Sequence, residues 1–243
     1  VILNLPKLKT HRKAGMTGAL KNMVGIIGSK DCLPHHRIGS QEEGGDEYLH
    51  RDFRKRALTQ LHEIRDRTKN PVVGMLGKLG HLFIYGTQRI IPSPDTYAEG
   101  SWYGNNTIPR TTVDLNKIIL FADKEGIVQE NPQRRALTIV DAVIAGEKEG
   151  PLEPSPKPIG TLVAGRNPVE VDLTCSQIMG FDYAKIPTLK CALALKPIRS
   201  VKITDEIQIL ADETIELEDV FTHYGHHFNP TSGWKGHIER KGQ

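Results

Sequence analysis

Lys7, Lys9, His11, Lys21 and Asn22 crowd into one run, PKLKTHRKAGMTGALKN. Ammonium groups are compact donors to anions, and an imidazole titrates near neutral pH. Thr17-Gly18-Ala19 has the composition to open a helix whose free N–H groups attract negative charge. These residues together suit a phosphate or carboxylate pocket. Lys9 and Asn22 would hold the ligand, and His11 or Lys21 would move a proton. The plainer reading is a solvated lysine face with Asn22 as a local cap. The run is not a P-loop, because the G-x-x-x-x-G-K-[ST] spacing is absent.

A second group is acidic. Asp141 lies inside the apolar run ALTIVDAVIAG, Glu147 and Glu149 follow it, and Asp172 sits in NPVEVDLTCSQIMGF. Carboxylates at strand ends of an α/β sheet commonly face the ligand crevice. Asp141, Glu147 and Asp172 are therefore expected to hold a divalent metal through oxygen ligands, with Asp141 also placed to act as a base. The structural alternative pairs Asp141 with a cation of the basic run and aligns Asp172 with a helix dipole.

A third group is SWYGNNTIPRTTVDLN, residues 101–116. Trp102 is expected to stack on a ring, Arg110 to fork onto an anion, and Asn116 to add a polar contact. The alternative makes Trp102 a core plug. His35-His36-Arg37 and the His-rich HYGHHFNP segment with His237 rank lower, as metal or anion sites.

Charge distribution supports the first group. The 243 residues carry a net +3, yet residues 1–39 hold seven Lys/Arg against one acid. A local excess favours a small anionic ligand over a nucleic-acid surface. Three cysteines with no C-x-x-C pair argue against a disulfide framework and exclude a four-cysteine iron–sulfur cluster within this chain, and they fit a reducing, cytoplasmic setting. No signal peptide is visible. The chain opens on Val1 and enters VILNL at once, so it is expected to lack an N-terminal part of a longer protein.

The elements that must position these groups follow from periodicity. Residues 1–5 read as a strand. Residues 15–27 read as a helix with Met16, Leu20, Met23 and Val24 on one face and Thr17 as its cap. Helices are expected at 51–69, 113–123, 167–181 and 186–195, and strands at 136–146, 159–165 and 199–210. Residues 92–110 read as a loop. The apolar window 72–91 contains Lys78, His81, Gln88 and Arg89. It reads as a buried or amphipathic helix, with membrane contact the weaker reading. The fold class is α/β: a single layered domain over 1–220, with a mostly parallel buried sheet flanked by helices. A His-rich tail of loop composition, 221–243, follows.

Four blocks in this order resemble the family catalogued as domain of unknown function 362. They are NLPKLKTHRKAGMTGALKNMVGIIG, DLNKIILFAD, IVDAVIAGEKEGP and GTLVAGRNPVEVDLTCSQIMGFDYAKIPTLKCA. The resemblance covers most of residues 1–195. Members of that family often carry or adjoin ferredoxin-like iron–sulfur segments, so the resemblance implies a redox setting and an iron–sulfur protein as partner. It implies no catalytic residue set. The leading expectation is a cytoplasmic enzyme acting on a small anionic substrate with a divalent metal. The alternatives are a redox protein served by an iron–sulfur partner, and an interaction module whose basic segment docks an acidic partner.

Overall fold

The run ALTIVDAVIAGE forms the longest strand, and the sheet is built around it. In the computed structural model, which describes residues 1–29, 32–67, 70–87, 97, 99–195 and 207–240, this strand is β4, Ala136–Glu147. Along one edge of β4 lie β1 (Ile2–Asn4) and β2 (Lys7–His11), end to end and both parallel to it. Ile2 faces Ala136, and Lys7 faces Asp141. Pro6 separates β1 from β2. It has no N–H to give the ladder, but its carbonyl accepts the Asp141 N–H at 2.8 Å. β3 (Gly15–Thr17) folds back antiparallel on β2, and β5 (Ser155–Gly165) pairs antiparallel with the other edge of β4. A small hairpin, β6 (Gln208–Leu210) and β7 (Thr214–Glu216), stands apart.

Seven helices accompany the strands among the described residues: α1 (Ala19–Asn22), α2 (Phe53–Arg67), α3 (Pro71–Thr87), α4 (Thr107–Phe121), α5 (Pro168–Ile178), α6 (Pro187–Ala194) and α7 (Val220–Tyr224). α5 starts cleanly because Asn167 accepts the Val169 N–H at 2.9 Å and Pro168 occupies the first turn. Leu8, Val140 and Ala142 of the sheet meet Leu20, Val113 and Leu173 of α1, α4 and α5, and Met179 just past α5, in one core. Leu3, Leu137 and Leu162 point from the other face into solvent.

The α/β class and most elements match the sequence pattern. Residues 15–27 differ. They form β3, a four-residue α1, and a 3-10 turn over Met23–Ile26. Gly15, at φ 79°, turns the chain so that β2 can pair with it, and the helical spacing of the apolar residues is overridden. Thr17 is thus a strand residue, and Gly18 takes the cap position. α4 begins at Thr107, inside the stretch expected to be loop. Of the strand expected at 199–210, residues 199–206 lie outside the described residues, and β6 forms its end. The segment from 221 packs closely: Phe228, Trp234 and Ile238 are buried in the main core, and His237 stacks on Tyr103. No helix among the described residues is long and apolar enough to cross a membrane.

Candidate functional site

Strand alternation decides which side chains of β2 leave the core. Leu8 and Thr10 turn inward, while Lys7, Lys9 and His11 share the opposite face. Pairing with β3 sets Thr17 beside Lys9 and Gly15 beside His11. The Thr17 hydroxyl is buried and has no hydrogen-bond partner among the described residues. Half-buried Lys9 directs its Nζ to the Pro151 carbonyl at 3.3 Å.

His11 is only 8 % exposed, and its Nδ1 accepts the Lys13 backbone N–H at 3.0 Å. A neutral ring bonded in this way carries its proton on Nε2. Burial pushes the imidazole down to about 3, and the charges of Lys21, Lys13, Lys9 and Arg12 push in the same direction. Burial also lowers Lys21, helped by Lys13 and Lys9. Lys13 is lowered chiefly by burial, with Glu99 and Glu47 opposing and Arg12 adding to the shift. His35 is lowered by burial and by Lys13 and Lys21, against a hydrogen bond that its ring donates to the Leu33 backbone. Among the described residues, the side chains of Lys13 and Lys21 make no hydrogen bond or ion pair. The Arg12 Nε is buried and unpartnered as well. Repulsion among so many cations is unfavourable unless something negative offsets it. Glu47 and Glu99 pull Lys13 back up, whereas Lys21 is lowered by burial and by Lys13 and Lys9.

Two distant segments hold this cradle in place. After β4, the Thr10 hydroxyl donates to the Lys148 carbonyl at 2.8 Å, and the Arg12 N–H to the Gly150 carbonyl at 3.0 Å. From the C-terminal segment, the Trp234 indole N–H donates to the Arg12 carbonyl at 2.7 Å. The Trp234 ring lies so close to Gly15 that a Cβ there would meet it at 3.2 Å.

α1 carries Lys21 and is short, so tertiary bonds hold it. The buried Asp172 carboxylate accepts the Ala19 N–H at 2.5 Å and the Leu20 N–H at 3.0 Å. Burial raises this carboxyl to about 7, against the pull of those two donors. Asn116 gives its amide to the Leu20 carbonyl at 2.9 Å and the Thr112 carbonyl at 2.8 Å. Asn22 donates to Asn4 at 2.7 Å, and Asn4 donates to the Ala19 carbonyl at 2.9 Å.

The structure thus brings Lys9, His11 and Lys21 together and sets Asn22, Asn116 and Asp172 behind them as supports of α1. It does not bring Asp141, Glu147 and Asp172 together. Asp141 pairs with Lys7 at 2.6 Å, and this hydrogen bond, with one from the Val143 N–H, holds its carboxyl below the ordinary range. Glu147 is engaged by Lys157 at 3.1 Å and by the Asn229 backbone and side-chain amides at 2.9 and 3.1 Å. Among the described residues no group of three His, Cys, Asp or Glu side chains could hold a metal ion. Trp102 does not face a ligand: it is 1 % exposed, donates to the Asp46 carbonyl at 3.0 Å, and meets Tyr103 edge to face. Arg110 is exposed on α4, beside Cys191 of α6. Arg12 and Lys13 join the cradle without having been singled out, and His35 joins it from the lower-ranked His35-His36-Arg37 group. For the first two the signal was present, since THRKAG continues the basic run past His11.

One family model, described as Domain of unknown function (DUF362), matches residues 1–177. No curated protein and no solved structure matches the chain.

Proposed function

We propose that this chain, which belongs to the DUF362 family, binds the phosphate or carboxylate group of a small substrate between Lys9, His11, Lys13 and Lys21. One observation carries the reading: in a half-buried cluster of cations around a histidine pushed down to about 3, Lys13 and Lys21 make no ion pair among the described residues. An anion there would relieve the repulsion and accept hydrogen bonds from groups that now lack partners, the Arg12 Nε and the Thr17 hydroxyl. His11 would serve as a neutral N–H donor, and the ammonium groups would stabilise negative charge that develops on the bound group. Proton transfer falls more naturally to Lys21, whose amine is already lowered.

The test is calorimetric titration of the full chain with inorganic phosphate and, separately, with citrate. Whichever anion binds identifies the group that is recognised. Lys9→Ala and Lys21→Ala should each weaken that binding about tenfold, the loss of one charge-assisted hydrogen bond, with thermal stability unchanged. Unchanged affinity in stable variants would reject the reading.

A further inference from the structure

α3 is assembled the wrong way round for a helix of a water-soluble domain. Such a helix turns its large apolar residues inward. Here Val72, Met75, Leu76, Leu79 and Leu82 are 57, 57, 59, 56 and 67 % exposed. Their spacing places them along one side of the helix. Gly80 is on the side turned towards α2: a Cβ there would meet Leu61 of α2 at 3.1 Å. α2 is the main packing partner of α3 among the described elements. The hairpin therefore offers a continuous apolar stripe with nothing of this chain laid over it among the described residues.

Charge decides what covers it. Residues 51–89 contain nine Lys/Arg and three acids; Arg54 and Lys55 are buried and Arg51 and Arg56 pair with Glu43, while Lys78 is exposed between Leu76 and Leu79. A second copy seated on the stripe would bring two such basic hairpins together. An anionic lipid surface would neutralise them, and the Lys78 stem would lie along the apolar boundary with its ammonium group at the headgroups. The helix has 17 residues, a length of about 25 Å, and does not qualify as a membrane span. A helix of that length with one apolar face lies in the plane of the interface. We infer that the α2–α3 hairpin is a membrane-surface anchor, with the Val72–Leu82 stripe of α3 immersed among the acyl chains of an anionic bilayer. This rests on none of the residues of the anion cradle.

The test is co-sedimentation of the full chain with vesicles of phosphatidylcholine alone and of phosphatidylcholine mixed with phosphatidylserine. The chain should pellet with the mixed vesicles, less so at high salt. The double variant Leu76→Glu/Leu79→Glu should lower that partitioning about tenfold or more while keeping its circular dichroism and melting profile. Should the double variant not fold, Lys78→Glu is the substitute, and it should weaken binding to the mixed vesicles alone. A wild-type chain that stays in the supernatant would overturn the inference, as would folded variants that pellet like the wild type. So would a vesicle-free dimer that the double variant converts to monomer, which would assign the stripe to a second copy.

Discussion

Asp172 of α5 and Gly18 at the start of α1 stand so close that a side-chain carbon at position 18 would collide with the carboxylate. The carboxylate of one helix thus caps another helix, one that is too short to hold itself. Only glycine allows that approach, and Lys21 depends on it for its position.

Gly18→Ala should therefore displace α1 and cost about 1–3 kcal/mol, the range for forcing an extra carbon into a packed site. Denaturant titration measures it. A variant as stable as the wild type, with anion binding intact, would show that α1 does not need this cap.

The same carboxyl makes stability depend on pH in an unusual direction. It titrates at about 7 in the fold and near 3.8 when free. Between those values the native state holds a proton that the unfolded state has released. Its contribution is full below the lower value and is lost as pH rises through the upper one. Asp172→Asn should flatten the decline in unfolding free energy between pH 5 and pH 8 relative to the wild type, to a degree that paired denaturation curves at the two pH values can resolve. Parallel declines in both proteins would contradict the assignment.

His11 works in the opposite sense. Its ordinary value is 6.5 and its folded value about 3, so the unfolded chain takes up the proton first as pH falls. Stability from this group is full above the higher value and is lost as pH falls towards the lower. Nitrogen chemical shifts of the imidazole should show a neutral ring at pH 5. Saturating anion should move its titration upward, because a negative neighbour favours the charged form. A ring that titrates normally without ligand would remove the cationic cluster from the argument.

Trp102 and Arg110 should separate cleanly. Trp102→Ala empties a core position and should cost about 3–5 kcal/mol. Arg110→Ala changes an exposed side chain and should stay within about 0.5 kcal/mol. Melting curves distinguish the two, and a harmless Trp102→Ala would mean that the loop over residues 99–106 is loosely held.

The heart of the cradle was legible in the sequence because it is local. Lys9, His11 and Lys21 lie on a hairpin and the turn after it, so adjacency along the chain becomes adjacency in space. β4, β5 and α5 were legible because each is a sustained periodic or apolar run. The acids misled because their partners are remote. The alternative that pairs Asp141 with a cation of the basic run is the one Lys7 fulfils, but nothing near Asp172 in sequence points to the N–H groups of Ala19 and Leu20. Trp102 stands among glycines and asparagines, where composition suggests a working loop, yet its size fits it for filling the core. Residues 15–27 carried a helical apolar spacing that a short strand pairing overrode. Trp234, beyond the end of the family match at residue 177, lay in a segment whose composition reads as loose.

The bond between Trp234 and Arg12 joins residues 222 positions apart. A ribosome makes Arg12 long before Trp234. The cationic hairpin therefore emerges long before the wall that braces it. During synthesis it is an unsupported basic surface, open to any polyanion nearby, ribosomal RNA included. The site is complete only once Trp234 has been made, so a chain truncated after α6 would carry the charges of the cradle without its brace.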